Sequence, residues 1–191
     1  MNPFQIFLAA YKEELDKSKL RIPSACCLST IGLDGYPNAR FVAFRELKDE
    51  AFVVCGTLSS RKGLEITRDQ KVALTFWWTA TEKQVRIQGD AHQISAADAD
   101  RYFLQREREA QIVASVSEQG EPMEDISALN AKFSAKEKEL KNQEVPCPEH
   151  WGGYAIHPLR IEFFEFDSGR FHKRTLFKKD GSNWLMEMLQ P

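Results

Sequence analysis

Short alternating segments joined by tight turns constrain this chain more than any other feature. Ala25–Ile31 and Asn38–Glu46 read as antiparallel strands around the turn Gly32-Leu33-Asp34-Gly35. Ala51–Gly56 is a further short apolar strand, and Lys71–Trp78 is strand-like. In Lys83–His92, Val85, Ile87 and Gly89 fall on one face and Gln84, Arg86 and Gln88 on the other. Gly153–His157, Leu159–Phe166, Arg170–Lys178 and Trp184–Met188 read as closing strands, with turns at Asp167-Ser168-Gly169 and Lys179-Asp180-Gly181-Ser182. Helical spacing is confined to Pro3–Lys17, Ser60–Arg68 and three stretches, Ser95–Arg106, Glu107–Val116 and Asp125–Lys141. Strands first, helices inserted, then strands again predicts an antiparallel α+β barrel over a doubly wound parallel sheet. No Gly-x-Gly-x-x-Gly or Walker-type loop occurs, so a nucleotide site of Rossmann type is not expected.

The 191 residues can bury a core without disulfide or metal staples, and one domain over 1–191 with a helical insertion at about 95–141 is expected. The net charge of −2 argues against broad binding to nucleic acid or a membrane surface, so any anion site must be local. Cys26, Cys27, Cys55 and Cys147 lack metal-ligand spacing and read as free thiols of a reducing compartment, with no metal site expected. With neither a signal-like N-terminus nor an apolar run of membrane length, a cytoplasmic location is expected.

Several groups of residues suit an anionic ligand. Arg61 and Lys62 stand at a helix start behind the N-cap candidates Ser59 and Ser60, where acidic residues are normally favoured. A bound phosphate would explain two cations there, although a solvated helix start fits them too. On a strand, Arg170, His172 and Arg174 would share one face, where they would repel unless a ligand lay across them. A solvated edge strand is the alternative. Tyr102 and Arg106 are four apart on a helix, a spacing that suits a phosphate clamp or a plain surface pair. The Gln84 amide could serve the edge of a heteroaromatic ring. Arg40 and Arg45 flank an apolar strand, but their odd separation puts them on opposite faces of a regular one. One ligand touching both would need a bulge, a rim position or a second subunit. His92, His150 and His157 have no paired spacing and read as structural.

In order, Arg40-Phe-Val-Ala-Phe-Arg45, Ser60-Arg61-Lys62, Lys83-Gln84-Val85-Arg86-Ile-Gln-Gly89 and Tyr102-Phe103-x-x-Arg106 are followed by Gln111-Ile112, Trp151-Gly152-Gly153-Tyr154, Ile161-Glu162-Phe163-Phe164 and Arg170-Phe171-His172-Lys173-Arg174. The ordered set resembles the pyridoxine/pyridoxamine 5′-phosphate oxidases. That resemblance implies an FMN-binding split β-barrel, mainly of antiparallel Greek-key strands with peripheral helices. It also implies a homodimer with FMN in two clefts at the subunit interface. By position, Arg40, Arg61, Lys62, Gln84, Gln119, Phe164 and Arg174 would contact FMN, as would Cys55, Gly56 and Gly120. Arg45, Tyr102 and Arg106 would clamp the substrate phosphate, and Arg170 and His172 would act as catalytic residues that orient the ring. The implied reaction takes pyridoxamine or pyridoxine 5′-phosphate to pyridoxal 5′-phosphate, with oxygen as acceptor.

The chain departs from the family pattern in places. Arg45 replaces the usual lysine, Ala110 the usual serine, Phe164 the usual tryptophan and Lys173 the usual aspartate. The substrate-covering N-terminal extension is expected to be missing. A related oxidase of another small aromatic molecule, of phenazine-pathway type, and a non-catalytic flavin- or haem-binding module are the alternatives.

Overall fold

The structure, a computed structural model, describes residues 1–191. Asn2 starts the first helix. Its side-chain oxygen accepts the N–H groups of Phe4 (2.9 Å) and Gln5 (3.4 Å), and Pro3 presets the first turn. The elements are α1 (Pro3–Lys17), β1 (Ala25–Ile31), β2 (Pro37–Lys48), β3 (Ala51–Thr57), α2 (Arg61–Arg68), β4 (Lys71–Trp78) and β5 (Lys83–Gln93). They continue with α3 (Ala96–Leu104), α4 (Arg108–Val116), α5 (Ile126–Glu139), β6 (Trp151–Glu165), β7 (Lys173–Asp180) and β8 (Asn183–Leu189). No helix is long and apolar enough to cross a membrane.

All strand pairs are antiparallel, in the order β3-β2-β1-β4-β5-β6-β7-β8. β4 returns beside β1 after the β1-β2-β3 meander, which is a Greek key. An extra β3–β6 pairing closes six strands into a barrel. The expected α+β barrel is therefore what forms. α1 covers one end with Phe7, whose ring lies 4.8 to 5.6 Å from those of Phe52, Phe76, Phe44 and Trp78. A second apolar cluster lies outside the barrel, where Val53 of β3 meets Tyr102 and Phe103 of α3, Ile112 of α4 and Trp151. It fixes the inserted helices against the barrel wall.

Three local departures from the expected pattern matter for the site. Phe44 pairs with Val54 but Glu46 with Val53, so Arg45 is an extra residue, a bulge in β2. The two strands expected at Gly153–His157 and Leu159–Phe166 are one, β6. Pro158, which has no N–H, is tolerated there because Gly89 pairs with Pro158 while Gln88 pairs with Arg160, leaving Leu159 unopposed. Even-numbered Tyr154 and Ile156 face the core before this bulge, and odd-numbered Ile161 and Phe163 after it. Gly89 is required there, because a Cβ on it would lie 2.1 Å from the His157 carbonyl oxygen.

The third departure corrects the shared strand face expected for Arg170, His172 and Arg174. β7 begins only at Lys173. Asp167 extends the turn: its carboxylate accepts Gly169 N–H (2.9 Å) and its carbonyl accepts Arg170 N–H (3.0 Å). Arg170 takes a left-handed φ of 62° and is exposed. Of the three, only Arg174 lies on the strand.

Candidate active site

The start of α2 opens onto a cleft of about 390 Å³, bordered by Arg40, Cys55, Gly56, Lys62, Arg106 and Gln119. Ser60 occupies the N-cap as expected, but its hydroxyl donates to Thr57 O (2.6 Å) and caps no N–H of the first turn. The Lys62 ammonium donates to Ser60 Oγ and Gln119 Oε1, both at 2.8 Å. Neither partner is charged. Burial, and then the nearby Arg40, lower its pKa to about 8. A Cβ on Gly56 would come within 3.0 Å of Lys62 Cε, so this glycine leaves room for the ammonium.

Arg40 is directed by a buried carboxylate. Its guanidinium donates to Glu65 Oε2 (2.6 Å) and to Thr30 Oγ1 (2.6 Å). Burial opposes ionisation of Glu65, but hydrogen bonds from Thr30, Asn38, Arg61 and Arg40 outweigh it and hold its pKa near 2. Arg61, at the same helix start, has acidic partners after all. It pairs with Glu65 and with Asp34, each at 2.9 Å, and does not border the cleft.

The bulge turns Arg45 toward the Cys55 thiol and Arg106, both of which border the cleft. The Nε atoms of Arg45 and Arg106 are both buried without a hydrogen-bond partner. Arg106 donates one bond to Ala110 O (3.0 Å) and lies 5.4 Å from the Trp151 ring. Burial, then repulsion from Arg45, lowers its pKa. Two half-buried cations without a counter-ion make a site for an anion. Tyr102 does not join them, because its hydroxyl donates to Glu46.

A second cluster sits across β5, β6 and β7. Gln84 pairs in register with Phe164, and Phe164 with Arg174. The His172 ring lies 5.1 Å from that of Phe164 and the Arg174 guanidinium 5.5 Å from it. Asp167 N–H donates to His172 Nδ1 (3.1 Å), which puts the neutral ring's proton on Nε2 and leaves that N–H free to donate. Buried Glu162 accepts two bonds from Arg174, at 2.7 and 2.9 Å. Gln84 and Phe164 border a different cavity, of about 330 Å³, from the one beside Lys62. One chain thus carries two separate groups of the expected residues. Gln119 and Arg170 come from loops, and Gly120, also expected at the flavin, is exposed with φ 98°.

Residues 12–137 match the family described as pyridoxamine 5′-phosphate oxidase, and residues 151–191 match the pyridoxine 5′-phosphate oxidase C-terminal dimerisation region. The chain belongs to the pyridoxamine 5′-phosphate oxidase family. A pyridoxine/pyridoxamine 5′-phosphate oxidase of Cyanothece sp. is 39% identical over 190 residues, covering 100% of this chain and 89% of that protein. One of Thermosynechococcus vestitus is 41% identical over 174 residues, covering 91% and 82%. Among solved structures, PhzG from Burkholderia lata in complex with tetrahydrophenazine-1-carboxylic acid superimposes with a TM-score of 0.91 at 28% identity, covering 100% of this chain and 93% of that one. Membership of the oxidase family makes the chain an FMN-dependent oxidoreductase. Beside the residues read from its sequence, this oxidase-family chain places Glu46, Glu65 and Glu162 behind Tyr102, Arg40 and Arg174. Only the Arg61–Glu65 spacing of four foreshadowed any of them.

Proposed function

We propose that this protein oxidises pyridoxamine and pyridoxine 5′-phosphates to pyridoxal 5′-phosphate, using FMN and passing the electrons to oxygen. The observation that carries this reading is the pair of half-buried arginines, Arg45 and Arg106, whose buried Nε atoms lack partners, with Arg106 itself bordering the Lys62 cleft. Two neighbouring anion sites suit two phosphate-bearing molecules, one cofactor and one substrate. Full-length likeness to proteins named for this activity supports it.

The residues present fit an FMN phosphate: uncapped N–H groups at the α2 start, Lys62 and Arg40 without a mobile counter-ion, and the space kept by Gly56. Lys62, Arg40 and Gln119 would hold that end, with Arg61 available once it leaves Asp34. Gln84, Phe164 and Arg174 would hold the ring end. A bound flavin would supply the redox chemistry as the hydride acceptor. Arg45 and Arg106 would bind the substrate anion. Arg170 and His172 orient the pyridine ring, His172 by donating from Nε2. For the amine the balance is amine, oxygen and water in, and aldehyde, ammonia and hydrogen peroxide out. Because the two groups of residues border separate cavities of one chain, each site draws on both copies of a homodimer. The matched dimerisation region supports that assembly. The proposal includes one domain over 1–191, since β6 pairs with both β3 and β5, and a cytoplasmic location, in keeping with four free thiols.

One observation favours a second reading. The PhzG likeness, together with Ala110 and a Tyr102 turned to Glu46, suits an oxidase of another small aromatic acid. Anaerobic spectra separate the readings. The purified protein should be yellow, lose its visible band with pyridoxamine 5′-phosphate, and regain it in air with one pyridoxal 5′-phosphate per turnover. A band that persists with this substrate but bleaches with a reduced phenazine carboxylate selects the second reading. A band that persists with both selects the non-catalytic flavin module.

A further inference from the structure

Two histidines with no paired spacing in the sequence meet on the outer face of the barrel. The ring centres of His92 in β5 and His157 in β6 are 5.4 Å apart. The strand register brings them together. Asp90 pairs with His157 and His92 with Ala155, so the two imidazoles are diagonal neighbours across antiparallel strands. Ala91 and Ile156, which alternate with them, are buried in the core, so both rings and Asp90 belong to the outward face. Both histidines are exposed. Neither of them borders the Lys62 cleft or the cavity beside Gln84, and the proposed reaction uses neither.

Charges of both signs face the pair. Lys71 pairs with Asp90 from β4. Burial, then His92 and then Lys179, lower the His157 pKa, and Asp90 opposes them. An imidazole kept neutral has a lone pair free for a metal ion. The spacing of the rings suits one ion between them. A ligating imidazole nitrogen lies roughly 2.0–2.1 Å from zinc, which puts the ring centre roughly 3.2 Å from it. Two such rings at the tetrahedral angle have centres roughly 5.2 Å apart, close to the 5.4 Å found here. We propose that His92 and His157 form a two-histidine site for a late first-row divalent cation, zinc foremost, with Asp90 adding negative charge beside it. No group of three potential ligands surrounds the position, so water would fill the remaining places of the ion. A bound ion would clip the end of β5 to β6, and the inference does not depend on the proposed oxidase activity.

The test titrates zinc chloride calorimetrically into the protein as purified, at about pH 7.5, above the ordinary histidine range. The site has half the ligands of a structural zinc centre, so one ion should bind with a Kd on the order of 10 µM. His92→Gln and His157→Gln, each of which removes one imidazole, should weaken binding at least about tenfold. At a hundredfold excess of zinc over Kd, the melting temperature of the wild type should rise by about 5 °C, and that of either variant should rise far less. Melting without zinc shows whether each variant is folded, and if one is not, the other decides. Binding at wild-type affinity in a folded histidine variant would place the ion elsewhere, for instance on the thiols, and overturn the inference. A wild type that takes up no zinc at concentrations of about 1 mM, a hundred times the expected Kd, would overturn it as well.

Discussion

Lys62 is the residue most sensitive to what the cleft holds. Its pKa of about 8 reflects burial and the neighbouring Arg40. A bound phosphate would offset both and push the value back up, so binding takes up a proton at pH above 8. FMN affinity should therefore be flat up to pH 8 and then fall by up to about tenfold per pH unit toward pH 10. Flavin fluorescence titrations from pH 7 to 10 would show this, and Lys62→Met should remove the slope. An affinity that stays level to pH 10 in the wild type would mean that Lys62 does not meet the phosphate. Arg106→Ala should raise KM for pyridoxamine 5′-phosphate by at least about a hundredfold, the loss of a half-buried charged contact. Flavin content should not change, and loss of flavin instead would mean that the two phosphate sites are exchanged. The cations of the site were legible in the sequence because charge at a helix start or beside an apolar strand is visible locally. Their carboxylate partners were not. Glu46 and Tyr102 are 56 residues apart, and Arg40 and Glu65 are 25 apart. Only the closed barrel brings them together.

At the scale of elements, β1 and β4 follow the periodicity of the sequence residue for residue, whereas α1 keeps its expected bounds but exposes Leu8 and Leu15 and buries Glu14. The misread elements are those where the count of residues changes. The parity objection to Arg40 and Arg45 assumed a regular strand, and the bulge at Arg45 removes that assumption. Pro158 reads as a strand break, yet a bulge accommodates it. Asp167, through its side-chain and main-chain acceptors, carries the turn past Arg170. Gly89 tests the β5–β6 crossing. Gly89→Ala forces a methyl group against the His157 carbonyl and should cost about 2 kcal/mol or more of stability. Urea denaturation would measure it, and a loss below about 0.5 kcal/mol would mean that the strands can part there at little cost.

At the scale of the whole molecule, the two groups of residues border different cavities of one chain, and in the proposed homodimer a second copy completes each site. Arg106→Ala and His172→Ala damage different groups. Each should be nearly inactive alone. Mixed and allowed to exchange subunits, they should recover about a quarter of wild-type activity, because half the dimers are mixed and each of those keeps one intact site. No recovery after proven exchange would place both groups in the same subunit's site. The extra residue at Leu159 has a consequence of its own. Side chains point inward on one parity before it and on the other after it. Leu159 is 52% exposed, and its identity should matter little. Its number matters greatly: deleting it would swing Glu162 into the oily interior and turn Ile161 and Phe163 out of it. A residue on the skin of the protein thus works as a spacer that keeps the two ends of one ribbon in phase, free to vary in kind but not in count.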